Sequence, residues 1–343
     1  MKNFTHTRKA GYLTAMIALG VSLLVFAVLC ICIGDYPVRP AEAIRIIFGK
    51  LTAAAPDWSA MEENVVIGLR VPRVIASVVV GAALSASGAS FQGVFKNPLV
   101  SPDLLGVSSG ACVGAAVAIL LSLGSGYMQL FAFTGGIIAV LLTTGIPRML
   151  RSSSNIMLVL SGIIVGGLMS SVLGFLKYIA DPETELASIV YWQMGSFSYI
   201  DIRSLALVLP AIIVPATILI ALSWRINILS LGEQEARSLG QDVPRLRAVI
   251  LLLATLMTAG SVCISGTIGW VGLIIPHFAR MTVGPSNTRL LPASMIYGGL
   301  FMLLVDTVTR TIGPMEMPVS ILTGVIGAPF YAWLLYRQRA QLR

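Results

Sequence analysis

Apolar stretches of about twenty residues follow one another along the whole 343-residue chain. A helix of about 20 apolar residues crosses the hydrocarbon core of a bilayer, which is roughly 30 Å thick. Charged residues make up only 11% of the chain, whereas a soluble protein carries about 25%. So little charge cannot cover a water-facing surface, which excludes a soluble globular enzyme, a disordered protein and a secreted disulfide scaffold.

The hydropathy pattern predicts an all-α integral membrane protein with about ten transmembrane helices in a single domain, residues 1–343. The eighth predicted segment is short, which is typical of a partial helix shielded from lipid by other protein. The segments are residues 12–34, 65–93, 104–123, 128–149, 156–178, 203–222, 248–267, 268–281, 290–309 and 318–335.

The distribution of basic residues predicts the orientation of these segments. Ten spans place both termini on one side of the membrane. If that side is the cytoplasm, 15 of the 23 Lys and Arg residues lie inside, as the positive-inside rule requires. The net charge of +8 therefore reflects topology, and no nucleic-acid partner is needed to explain it.

The cysteines and histidines do not suggest a metal site. Cys30, Cys32, Cys112 and Cys263 lie in apolar runs without the paired spacing of zinc ligands. His277 could ligate haem or a metal, but no second His or Cys lies near it in sequence. We interpret it as a packed histidine, and we predict neither a metal nor a resident cofactor.

The cytoplasmic loop 223–247 differs from the other, shorter loops. Its residues 233–239 favour a helix, and Gly232 and Gly240 bracket them like stop signals. A short charged helix of this kind suits docking into a groove on a soluble partner. The alternative is an ordinary solvated loop helix.

Three arginines lie at the predicted outer face, against the positive-inside trend. Arg70 and Arg73 lie near the outer end of the second span, residues 65–93, and Arg310 lies at the outer end of the ninth. Arginine pairs well with carboxylates, so these side chains could dock acidic groups of an extracytoplasmic partner. The alternatives are snorkelling and local salt bridges, since Asp306 lies four residues before Arg310.

Several motifs, in order and over nearly the whole chain, resemble one family. They are RVPR at 70–73, KNPLVSPDLLGV at 96–107, YWQMG at 191–195, GEQEARSLG at 232–240, GWVGLIIPH at 269–277 and GAPF at 327–330. With these motifs the chain resembles the permease subunits of type II ABC importers, the FecCD family. Members of that family take up iron–siderophore complexes, haem, cobalamin and, in some cases, molybdate.

This resemblance implies partners and a location. The family's permeases are ten-helix subunits of the bacterial inner membrane that form homodimers, with the pathway at the subunit interface. Two cytoplasmic ATP-binding cassette subunits bind below, and a periplasmic or lipid-anchored binding protein docks above. The resemblance also implies three groups of site residues. They are Glu233, Glu235, Ala236, Arg237, Ser238, Leu239 and Gly240 for ATPase coupling, Arg70, Arg73 and Arg310 for docking of the binding protein, and Ser154, Asn155, Ser161, Gly162 and Met169 for the pathway and its inner gate.

The same reading assigns no catalysis to this chain. It has no GxxxxGK[ST] phosphate-binding loop, so we expect ATP hydrolysis on a separate subunit. An ion-coupled secondary transporter would need charges near mid-membrane, and a scaffold would need neither docking element. Among substrates we put ferric siderophore first, with haem, cobalamin and molybdate as alternatives that the residues do not separate.

Overall fold

The computed structural model describes residues 2–34, 36–52, 57–150, 155–198, 200–313 and 315–339. Every regular element in these residues is helical, which confirms the predicted all-α fold. The helices are α1 (Lys2–Cys32), α2 (Pro40–Leu51), α3 (Ala60–Glu63), α4 (Val71–Phe95), α5 (Val107–Leu120), α6 (Ser125–Met149), α7 (Asn155–Ile179), α8 (Glu185–Met194), α9 (Ile202–Leu231), α10 (Glu233–Ser238), α11 (Val243–Ser265), α12 (Val271–Val283), α13 (Asn287–Thr309) and α14 (Val319–Arg339).

Each predicted apolar segment falls on one of these helices. Within the described residues, 7 helices are long and apolar enough to cross a membrane, counting Ala60–Phe95 as one. The apolar helices α5, α12 and α14 are shorter. The chain is therefore a multi-pass membrane protein, whereas the number of ten spans and the cytoplasmic position of both termini stay predictions.

Two boundaries differ from the prediction for physical reasons. Helix α9 continues to Leu231, because Ile226 and Leu229 are buried against the core, so the first part of the predicted loop 223–247 is helical. Helix α5 begins only at Val107. The chain before it turns at Gly106, whose φ of 77° favours glycine.

The sequence reading did not predict the short helix α2. Pro40 occupies its first turn, where a missing N–H costs nothing, and Glu42 accepts a hydrogen bond from the backbone N–H of Arg39. Ala43 and Ile46 are buried, while Arg45 forms an exposed ion pair with Asp57 at 3.2 Å. The helix is too short and too charged to resemble a span.

Helix α4 is the centre of the bundle, and glycines let its neighbours approach closely. A Cβ atom added at Gly81 would lie 2.1 Å from the carbonyl oxygen of Gly298 on α13. A Cβ atom at Gly88 would lie 1.9 Å from the carbonyl oxygen of Gly272 on α12. Lipid supplies no hydrophobic drive between helices, so backbone contact of this kind stabilises their association.

We predict that Gly81→Ala destabilises the bundle. The added methyl group must displace the backbone of Gly298, and overpacking of this kind costs about 1–3 kcal/mol. Thermal unfolding of the purified protein in detergent would measure the loss. Gly145→Ala on α6 is the matched control, because an added Cβ there meets nothing within 4 Å. Equal melting temperatures for the two variants would contradict the close-packing argument.

Candidate functional site

The helix predicted to couple to an ATPase is present and projects from the bundle. Helix α10 follows directly on α9, and Glu233, Glu235 and Arg237 are exposed. Leu239, the residue after the helix, is 56% exposed. A surface that combines charges with one large apolar side chain suits contact with another protein.

The base of α10 is fixed to the bundle. Ala236 is fully buried in the main core, and its carbonyl oxygen accepts a 3.0 Å hydrogen bond from the backbone N–H of Gln241. Gly240 closes the turn with a φ of 76°, a conformation that favours glycine. The segment is therefore anchored by one small residue and presents its other side chains to solvent.

Polar contacts attach α10 to α11 and the preceding end of α9 to α13. The Arg247 guanidinium donates a hydrogen bond to Glu233 and holds the pKa of that carboxyl below its usual range. Near the end of α9, the side-chain oxygen of Asn227 accepts hydrogen bonds from the backbone N–H and the side-chain amide of Asn287, at 2.6 and 3.0 Å. Helix α10 and the end of α9 are therefore each held to a neighbouring helix by a polar contact.

The three predicted docking arginines lie at one site, called here the outer site after its predicted orientation, where Arg70 and Arg310 contact the end of α1 and Arg73 contacts Asp306. Arg70 is 7% exposed and donates to the carbonyl oxygen of Ile31 at 2.9 Å. Arg310 donates to the carbonyl oxygens of Ile33, at 2.8 Å, and Cys30. These carbonyls belong to the last turn of α1 or follow it, where intrahelical donors are missing.

Asp306 is the buried carboxylate of this outer site. It is 1% exposed and pairs with Arg73 at 2.8 Å. The pair foreseen from sequence, with Arg310, is longer, at 4.0 Å. The main partner of Asp306 is thus an arginine on α4 that is distant in sequence.

Glu316 completes the outer network from the loop between α13 and α14. It pairs with Arg73 at 2.7 Å and also accepts a hydrogen bond from Ser198. Burial acts to raise the pKa of Glu316, but the hydrogen bonds from Arg73 and Ser198 hold it below its usual range. Glu316 is 37% exposed, far more than Asp306. Docking of a partner's carboxylates at these arginines stays a prediction.

Among the predicted pathway residues, those that the structure describes on α7 lie in different surroundings. Ser161 is buried and donates to the carbonyl oxygen of Met157 on its own helix. A Cβ atom added at Gly162 would lie 1.8 Å from the carbonyl oxygen of Leu104, so this glycine packs against the chain's own loop. Met169 is half-buried, whereas Ser154 and the side chain of Asn155 lie outside the described residues. Their pathway roles stay predictions.

Sequence reasoning missed a polar pocket. It lies between the loop before α5, the helices α5, α7 and α8, and the connection between α11 and α12. Its lining includes Asp103, Ser108, Ser170, Gln193 and Thr267. Serine, threonine and glutamine in apolar helices give no sequence signal of their own. The one available signal was Asp103, an acid adjoining a predicted span.

Comparison with known proteins identifies the family. The model of the FecCD transport family matches residues 22–337.

The chain belongs to the FecCD transport family.

Relatives with different named substrates resemble this FecCD family member to similar degrees. The molybdate import system permease protein MolB of Haemophilus influenzae is 39% identical over 329 residues, 95% of this chain and 96% of MolB. A probable iron chelatin transport system permease of Helicobacter pylori is 41% identical over 275 residues, 80% and 83% of the two chains. The hemin transport system permease protein HmuU of Yersinia pestis is 39% identical over 288 residues, 80% and 84% of the two chains.

A solved structure confirms the architecture. A metal-chelate type ABC transporter in an inward-facing conformation matches with a TM-score of 0.84 and 37% identity. The match covers 94% of this chain and 99% of the other. The FecCD chain is therefore the permease of an ABC importer.

We predict that Asp306→Asn destabilises the protein by about 3–5 kcal/mol, because it leaves the buried Arg73 without its main counter-charge. Asp57→Asn removes an acid from an exposed pair with Arg45 and is expected to cost about 0–1 kcal/mol. Denaturant or thermal unfolding of both variants in detergent measures the difference. Similar losses for the two variants would show that the outer network contributes no more than a surface pair.

Proposed function

We propose that this permease belongs to an ATP-driven importer that moves a bulky metal chelate, first of all ferric siderophore, across the bacterial inner membrane. The observation that carries the proposal is α10, an exposed charged helix anchored by the buried Ala236. Its placement supports contact with a soluble ATPase. The chain itself would catalyse nothing, and ATP hydrolysis would take place on two separate cytoplasmic subunits.

The attachments of α10 support a coupling role. Closure of the ATPases would push on α10, and the Glu233–Arg247 and Asn227–Asn287 contacts would pass that displacement to α11 and α13. A solvated loop helix would not need these links. An ion-coupled transporter, the rival reading, would have no use for such an element.

The outer site supports docking of an acidic binding protein in which one carboxylate partner of Arg73 is exchanged for another. Arg73 has two carboxylate partners, the buried Asp306 and the partly exposed Glu316. A carboxylate of the binding protein could replace Glu316 while Asp306 keeps the arginine neutralised. Docking would then cost less than exposing an unpaired arginine.

A second copy of the chain would complete the pathway. Helix α7 is mostly unburied in the single chain, and Ile163, Ile164 and Leu168 expose 60%, 62% and 52% of their surfaces. Pairing of two such faces would bury apolar area and enclose a wide passage. Affinity for the substrate would reside in the binding protein.

The comparisons support a metal chelate as the substrate class, but they do not rank the individual substrates. Relatives named for molybdate, iron chelatin, cobalamin and hemin are 39%, 41%, 36% and 39% identical. Haem, cobalamin and molybdate therefore remain the alternatives to ferric siderophore.

We predict that Arg237→Glu abolishes coupling without unfolding the protein, since Arg237 is exposed. ATP-driven uptake into proteoliposomes that hold the permease, ATPase and binding protein should fall by at least about tenfold, equivalent to roughly 1.4 kcal/mol at the contact. The matched control is Arg225→Glu, another exposed arginine, on α9. Normal uptake by Arg237→Glu would remove the main support for α10 as the coupling element.

A deletion strain would identify the substrate. We expect it to lose uptake of labelled ferric siderophore and to regain it with the intact gene but not with the Arg237→Glu gene. Haem, cobalamin and molybdate would be measured in parallel. Loss of one of these three instead would replace the siderophore assignment. Unchanged uptake of all four would contradict the proposed substrate class.

A further inference from the structure

The loop before α5 lies deep against α7 rather than at its end. The carbonyl oxygen of Leu104 lies so close to Gly162 that Gly162 has no room for a Cβ atom. Gly106 lies next to Gly166, one turn further along α7. Gly162 is 7 residues from the start of α7 at Asn155, which is about 10 Å along a helix that rises 1.5 Å per residue. Asp103, the residue before Leu104, therefore lies far along α7 from its first residue, and its side chain is exposed in the single chain rather than enclosed by the bundle.

This depth explains why α5 is short. A helix of 14 residues is about 21 Å long and cannot cross the roughly 30 Å hydrocarbon core alone. The irregular loop supplies the remaining depth. Irregular backbone is tolerated there only where protein or a water-filled cavity shields it.

A polar cavity lies at this point. It has a volume of about 270 Å³, enough for several water molecules. Asp103 alone carries a formal charge among the described residues that line it. Its polar lining residues are Asp103, Ser108, Ser109, Ser170, Gln193 and Thr267.

The walls of the cavity hold their polar groups in place. Asp103 Oδ1 accepts a hydrogen bond from the hydroxyl of Ser108. A carboxylate has about four acceptor positions, so this one bond leaves Asp103 able to accept further hydrogen bonds from a ligand. Lys177 donates to the side-chain oxygen of Gln193 at 2.6 Å, and Thr267 donates to the backbone oxygen of Gln193 at 2.6 Å.

Lys177 is the opposing charge to be considered. It lies on α7, 7 residues beyond Ser170, or about 10 Å toward the outer end. The Lys177 ammonium nevertheless reaches the cavity wall, because it donates to Gln193, so the cavity has a negative charge at Asp103 and a positive charge beside Gln193. Close to Asp103 the field is negative.

We propose that Asp103 and the polar groups of this cavity form a contact site on the translocation pathway for the hydrogen-bond-donating, neutral or cationic rim of a chelate. Hydroxyl, amide N–H and ammonium groups are the chemistry that the Asp103 carboxylate and the serine hydroxyls of the cavity recognise. A free oxyanion such as molybdate would be repelled. The inference rests on the proposed importer function and narrows its substrate class.

The first test measures the sign of the field without any substrate. Ser109→Cys, in a Cys112→Ser background, places a thiol on the cavity wall of the full chain in membranes. We expect the cationic reagent MTSET to react faster than the anionic MTSES by on the order of tenfold. Adding Asp103→Asn should shift the MTSET-to-MTSES rate ratio toward the ratio that the two reagents show with a small thiol free in solution. Ser125→Cys, at the exposed start of α6, is the control whose ratio should not respond to Asp103→Asn.

The second test measures transport in proteoliposomes with the ATPase and binding protein. Asp103→Asn should slow chelate uptake several-fold while binding-protein-stimulated ATP hydrolysis persists. The contact site is overturned if Asp103→Asn leaves the MTSET-to-MTSES rate ratio at Ser109→Cys unchanged, or if neither reagent reacts there. This holds even if uptake is normal. Absence of any ATP-driven uptake by the parent protein overturns the importer function instead, whatever the labelling ratio.

Discussion

Backbone contact at α4 is the constraint on which the rest of the structure depends. A bundle in lipid has no hydrophobic drive to hold its helices together, so it relies on close packing. Gly81 and Gly88, about two turns apart in the middle of α4, bring the backbones of α13 and α12 against it. Arg73 is on the same helix, and its guanidinium reaches Asp306 only because α13 lies this close. The outer ionic network therefore follows from glycine packing.

The outer network also shows how charge is tolerated beside apolar helices. A buried ion pair repays its desolvation only when its geometry is good and its remaining groups are hydrogen-bonded. Asp306 has Arg73 at 2.8 Å, and Arg310 has the carbonyl groups at the end of α1. The free carbonyls of one helix end thus serve as neutral partners for arginines, which allows three cations to lie near one buried carboxylate, Asp306, and one partly exposed carboxylate, Glu316.

The sequence was sufficient for the helical architecture and for α10, because both depend on local patterns. Apolar runs marked the spans, and Gly232 and Gly240 marked the ends of α10. It was insufficient where partners are distant in sequence. Nothing local relates Arg73 to Asp306 or to Glu316, and the short interval between Asp306 and Arg310 favoured the weaker pair. The polar pocket at Asp103 was missed for the same reason, since loop, α5, α7 and α8 meet only in the fold.

Helix α13 links the two faces of the molecule. Asn287 at its start receives the contact from α9, next to α10, and Asp306 near its end holds the outer arginines. These residues are 19 positions apart, about 28 Å along the helix. Gly298 lies between them and leaves no room for a side chain, because a Cβ atom there would lie 2.2 Å from the carbonyl oxygen of Gly81 on α4. Close backbone packing of this kind leaves α13 little room to bend between these two contacts, because a densely packed interface has no space to deform into.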